Sequence, residues 1–254
     1  MSKPLILVTN DDGISAKGIR SLCEIAQMFG EVVLIAPDSP QSGMGHAITI
    51  HEPIRLNEDD LFEGIKSYSC SGTPVDCVKI GIYEVMKRKP DLVVSGINHG
   101  SNAATNVLYS GTMSAAVEGA MEGISSVGFS LESYDSDANF EISKKVVEQV
   151  IKAMLNNEFA KNICLNVNIP NVSESDFKGI KIARQGHAFW EDRFEKRNDQ
   201  FNKPYYWLAG DFLKMDAEEG TDLYWLEKGY ASIVPTKYDL TAFEMIDELN
   251  NWKL

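Results

Sequence analysis

The chain has 254 residues, 44% of them hydrophobic and 24% charged, the make-up of a globular protein with a sizeable core. Its formal net charge of −13 argues against non-specific binding to DNA, RNA or anionic membranes, all of which need a basic field. No run reaches the roughly eighteen apolar residues of a membrane span, and Met1-Ser2-Lys3 leads into an apolar run too short for a signal peptide, so a cytoplasmic location is expected.

Leu5-Ile6-Leu7-Val8-Thr9 predicts a strand buried on both faces, and Asn10-Asp11-Asp12-Gly13 follows it directly. Two adjacent carboxylates repel, so either one keeps its proton or a cation sits between them. Ile19, Leu22, Cys23, Ala26 and Phe29 mark one face of a helix closed by Gly30, and Val32–Ala36 predicts a second buried strand, completing a βαβ unit. Pro37 to Gly45 is a Ser- and Gly-rich loop. Ala47-Ile48-Thr49-Ile50-His51 then alternates like a strand, and Asn57-Glu58-Asp59-Asp60 reads as an acidic turn, together predicting a hairpin or an extra edge strand.

Thr73-Pro74-Val75-Asp76 supplies an N-cap, a proline at the first helical position and an acid at the third. The helix it opens turns Val75, Val78, Ile82 and Val85 inward, and Asp91–Ser95 predicts the next buried strand. A loop runs from Gly96 to Thr112, and Ala115, Ala116, Ala120 and Met121 mark a helix of small residues. Ser126–Leu131 and Ile163–Ile169 predict strands on either side of a helix over Ile142–Leu155. The alternation predicts an α/β fold, a doubly wound and mostly parallel sheet in a three-layer, Rossmann-like arrangement. From about Asn171 the texture becomes aromatic and charged: Phe189–Arg193, Tyr205–Leu208 and Leu223–Leu226 read as hairpins leading to a last helix over Thr241–Trp252. The expected organisation is one domain, with a core over about 1–170 and an oligomerisation segment over 171–254.

Loops at the ends of the first, second and Asp91–Ser95 strands carry oxygens that can hold a metal: Asp11, Asp12, Ser42 and Asn98. Ser42 on its own reads as a turn residue. An oxygen-only set selects hard cations such as magnesium or manganese. Ser110-Gly111-Thr112 opens a helix, where free amides and the helix dipole attract a phosphate. The duller readings are a turn for Asp11-Asp12-Gly13, turn formers for Asn98 and Asn102, and a simple cap for Thr112. His46 and His99 read as loop bystanders, and Cys23, Cys70, Cys77 and Cys164, lacking zinc-site spacing, read as free thiols of a reducing compartment.

Val8–Gly13, Ala36-Pro37-Asp38, Gln41-Ser42-Gly43, Ser71–Val78, Ser95–Asn98, Tyr109–Thr112 and the closing stretch Gly229–Pro235 with Asp239-Leu240-Thr241 resemble the SurE family of survival proteins, which are 5′/3′-nucleotidases. The resemblance implies a nucleoside monophosphate phosphatase with one divalent ion, magnesium or manganese, on Asp11, Asp12, Ser42 and Asn98. It implies that Asn102, Ser110, Gly111 and Thr112 hold phosphate oxygens and that Asn10 supports them from behind. The ion would polarise the phosphoryl group and activate water for direct attack, with Asp11 or Asp12, Asp11 preferred, handling the proton. A protruding C-terminal hairpin and helix exchanged between subunits, giving a homodimer or homotetramer, is also implied.

Three positions depart from the family pattern: Gln41 stands for an arginine, and Ala104 and Asn106 stand where glycine and aspartate are common. Two other classes fit less well. A receiver-type signalling module needs an acceptor aspartate where this chain has Ser95-Gly96-Ile97-Asn98, and a covalent aspartyl phosphatase separates its two aspartates by one residue.

Overall fold

Every residue of Leu5–Thr9, strand β1, is buried in the computed structural model, which describes residues 3–158, 160 and 162–253. Met1 and Ser2 lie outside those residues. The side chains of β1 alternate between two cores. Ile6 and Val8 join Ile19, Leu22 and Ala26 of α1 (Lys17–Phe29), whereas Leu5 and Leu7 join Val78 of α2 (Pro74–Ile80). Each such burial contributes about 1.5–3 kcal/mol, more than the roughly 1 kcal/mol spanned by strand propensity. Two-sided burial therefore fixes β1 in the interior of the sheet.

Around it lie β2 (Glu31–Pro37), β3 (Leu56–Asp59), β4 (Lys66–Cys70), β5 (Leu92–His99), β6 (Ser125–Leu131), β7 (Ile163–Ile169), β8 (Ile180–Ile182) and β11 (Ala231–Lys237). The sheet has nine strands in the order β3-β4-β2-β1-β5-β6-β7-β11-β8. From β4 to β7 neighbours run parallel, and antiparallel pairs occur at β3 with β4 and β7 with β11. Helices α1 and α4 (Glu141–Asn156) pack on one face, and α2 and α3 (Gly111–Met121) on the other. The result is the expected three-layer, doubly wound fold. Strand order reverses between β1 and β5, the place where such sheets open a crevice at their carboxyl ends.

Thr73 caps α2 as the sequence predicts: its Oγ1 accepts the Asp76 N–H at 3.2 Å, and the Asp76 carboxylate accepts the Thr73 N–H at 2.9 Å. The same cap explains why Ala47–His51 is not the expected strand. The Asp76 carboxylate takes the N–H of Thr49 at 3.1 Å, and the Thr73 hydroxyl donates to the carbonyl of Ala47 at 2.7 Å. Those backbone groups are thereby unavailable to a ladder. The hairpin forms instead from β3 and β4, so Asn57–Asp59 is strand rather than turn.

Beyond Asn171 the chain builds a long two-stranded hairpin, β9 (His187–Asn198) and β10 (Pro204–Asp216), but it also returns to the sheet as β8 and β11. Leu223–Leu226 is not a hairpin. Thr221 caps a helix there, α5 (Asp222–Glu227), by accepting the Tyr224 N–H at 3.1 Å. The expected last helix shortens to a 3₁₀ turn, Phe243–Met245, and α6 (Ile246–Asn250), neither with a buried residue; no packed face sustains a longer one. Among the described residues no helix is long and apolar enough to cross a membrane, and all four cysteines are buried and free.

Thr73→Ala removes both the cap and the tether on Ala47. It should lower stability by about 1–2 kcal/mol, read as a shifted urea midpoint at unchanged slope; an unmoved midpoint would show that the cap is redundant.

Candidate active site

Two loops meet where the strand order reverses. After β1, Asn10 is fully buried and its Nδ2 donates to the Gly13 carbonyl at 2.9 Å, closing the turn that presents Asp11 and Asp12. The Asp11 carbonyl accepts the Gln41 N–H at 2.7 Å, which ties this turn to the loop of Ser42. At the end of β5, the Asn98 Nδ2 donates to the Gly100 carbonyl at 2.8 Å, committing the amide nitrogen and leaving Oδ1 as the available donor atom. The backbone N–H of His99 reaches Asp12 Oδ2 at 3.1 Å and joins the two loops. Gly18 at the start of α1 lets them close: a Cβ there would fall 1.9 Å from the Ile97 carbonyl oxygen.

The start of α3 packs directly on Asp11. The Thr112 hydroxyl donates to Asp11 Oδ1, and a Cβ on Gly111 would sit 2.7 Å from the Asp11 Cβ and 2.9 Å from its Oδ2. Ser110 is the N-cap, its Oγ accepting the Met113 N–H at 3.0 Å. Asp11, Asp12, Ser42, Asn98, Asn102 and Ser110 line one cleft of about 1140 Å³. Asn10, Gly111 and Thr112 are not among its lining residues. The sequence assigns Thr112 and Gly111 to phosphate; the geometry gives the Thr112 hydroxyl to Asp11 and makes Gly111 the gap that admits the Asp11 carboxylate.

Burial raises the Asp11 pKa to about 6; the hydrogen bond from Thr112 opposes that rise and the charge of Asp12 adds to it. Burial likewise raises Asp12, against the bond from His99. Two carboxylates disfavoured as anions, one amide oxygen and one hydroxyl form a donor set that fits a hard divalent cation. Among the described residues no three His, Cys, Asp or Glu side chains are grouped so as to hold a metal ion. His46 is engaged elsewhere, its Nε2 2.9 Å from Glu118 Oε2.

The far wall of the cleft comes from β9 and β10 and includes Phe189, Trp190 and Arg193, which sequence reasoning placed at subunit contacts. No local signal could have found them, because the hairpin meets the site across more than eighty residues of chain. The Trp190 Nε1–H donates to Asn106 Oδ1 at 2.9 Å and the Thr105 hydroxyl donates to the Ala188 carbonyl. Ala104 has φ +52, and its N–H donates to Asp222 Oδ2 at 2.8 Å. A glycine would adopt that conformation without strain; here the buried Asp222 holds it.

Over residues 6–192 the sequence matches the family model described as survival protein SurE. The chain belongs to the SurE family. It is 57% identical over its whole length to the 5′-nucleotidase SurE of Cytophaga hutchinsonii, covering 98% of that protein, and 54% identical to that of Flavobacterium psychrophilum, covering 99%. The crystal structure of a SurE protein from Aquifex aeolicus superposes with a TM-score of 0.83 at 39% identity, over 97% of this chain and 98% of that one. The SurE fold thus extends through the hairpin and the last strands.

Two expected outcomes follow from the packing on Asp11. Gly111→Ala should push the carboxylate aside and weaken divalent cation binding about tenfold or more by calorimetry; unchanged affinity would mean that the contact gives way freely. In chelator, burial holds the Asp11 pKa at about 6 against an ordinary value of 3.8, so the unfolded chain binds fewer protons and stability falls as pH rises from about 4 to 6. Asp11→Asn removes that loss. It should stabilise the chelated protein by about 2–3 kcal/mol at pH 7 and hardly at all at pH 4, and equal denaturant midpoints at pH 7 would refute this.

Proposed function

We propose that the chain is a 5′-nucleotidase that hydrolyses nucleoside 5′-monophosphates, and 3′-monophosphates as well, to nucleoside and phosphate, using a magnesium or manganese ion. The observation that carries this reading is the meeting of Asp11, Asp12, Ser42 and Asn98 with Asn102 and Ser110 in one cleft, in a chain 57% identical to a protein named 5′-nucleotidase SurE. A divalent cation on the four oxygens supplies Lewis acidity and neutralises the charge of the aspartates and the phosphate.

The chain's own groups do the rest. Asn102 and Ser110 hold phosphate oxygens, and the amino end of α3 adds a favourable dipole. Thr112 holds one Asp11 oxygen and leaves the other to orient the attacking water and accept its proton, so that water attacks directly and no covalent enzyme intermediate forms. Phe189 and Trp190 offer a flat apolar surface to the base. Arg193, the one Lys or Arg among the described residues of the lining, is ion-paired with Asp211 at 2.8 Å, so it replaces the arginine missing at Gln41 only in part.

Exposed Phe194, Tyr206, Trp207 and Leu208 on the hairpin, with Leu240 and Phe243 beyond β11, support assembly as a homodimer or homotetramer through an exchanged C-terminal segment. The four buried thiols fit the reducing cytoplasm.

Phosphate release from a panel of 5′- and 3′-nucleoside monophosphates, with magnesium, manganese or chelator, tests the reading. Wild type should release phosphate with a cation, and Asp12→Asn or chelation should lower the rate at least about a hundredfold. No release from any nucleotide, or full rates in the variant and in chelator, would overturn it.

A further inference from the structure

Asn98, Ser130 and Asn168 stand side by side across β5, β6 and β7, because Asn98 pairs with Ser130 and Ser130 with Asn168 in register. The row begins at a candidate cation donor and ends beneath the loop Ser101–Asn106. There Asn168 Oδ1 accepts the N–H of Asn102 at 2.7 Å and the hydroxyl of Ser101 at 3.1 Å. Asn168 Nδ2 donates to Asn166 Oδ1 at 2.9 Å, and Asn166 Nδ2 donates to the Asn102 carbonyl at 2.8 Å. The side chain of Asn102 is held as well, its Nδ2 donating to Ser130 Oγ at 2.8 Å.

Asn166 is 2% exposed, and Asn168 and Ser130 are not exposed at all. Buried amides contribute little net stability compared with apolar groups of the same shape, whereas a fully paired network fixes orientation. Alternation along β7 puts Asn166 and Asn168 on one face, two residues apart, so one strand grips both backbone polar groups of a single loop residue. Asn102 keeps one amide N–H beyond the bond to Ser130.

We infer that Asn166, Asn168 and Ser130 are positioning residues that hold Asn102 in a single orientation, with that remaining N–H directed at a substrate phosphate oxygen. The inference rests on the phosphate role proposed above for Asn102. The three residues touch neither cation nor substrate, so their loss raises KM for the nucleotide and leaves cation affinity alone.

The test compares Asn102→Ala, Asn168→Ala and Ser130→Ala in the full chain, measuring kcat and KM for a nucleoside 5′-monophosphate, cation affinity by calorimetry, and melting temperature. All three should raise KM about tenfold, with kcat and cation affinity within about threefold of wild type. If Asn102→Ala leaves KM unmoved, the phosphate role fails and the inference with it. If Asn102→Ala raises KM while the other two lower only the melting temperature, the positioning role is overturned and the phosphate role stands. Should Asn168→Ala not fold, Ser130→Ala decides alone, since it deletes one hydroxyl and no backbone contact.

Discussion

The burial of Asp11 and Asp12, which makes both charges costly and to which the charge of Asp12 adds at Asp11, is the constraint around which the rest is arranged. A turn with two acids is cheap in water. At the carboxyl end of a strand buried on both faces it is not, and the neighbouring elements answer that cost. The reversal of strand order opens the space, Thr112 and the His99 N–H each take one carboxylate oxygen, and the absent side chain of Gly111 lets Asp11 in. None of these removes the net negative charge. The raised pKa of Asp11 is what remains of that cost.

Much of this was legible in the chain because the physics is local. The runs that became β1 and β2 are apolar at successive positions, which two-sided burial requires, and the Thr73-Pro74-Val75-Asp76 cap needs only four residues to be recognised. The failures share a cause. Ala47–His51 alternates like a strand, yet its backbone bonds go to the α2 cap, more than twenty residues away. Strand β11 went unread because its partner β7 lies far back in the chain.

The departures from the family pattern read differently in three dimensions. Gln41 contributes its backbone N–H to Asp11, a bond any residue but proline could make. Asn106 donates to the Ser101 carbonyl at 3.3 Å and accepts from Trp190, so it serves as a hinge pin between loop and hairpin. Its amide does both, where an aspartate could only accept.

Asp222 has one more consequence. Its carboxylate accepts the N–H groups of Ala104, 118 residues earlier, and of Gly186, both at 2.8 Å. The strands that carry Asp11, Asp12 and Asn98 are all made by residue 99. A domain folds as a unit, and β1 and β5 belong to the same nine-stranded sheet as β11. The loop at Ala104 must wait until residue 222 has emerged. A chain stopped short of α5 therefore carries the acidic pair but lacks the carboxylate that holds Ala104 at φ +52.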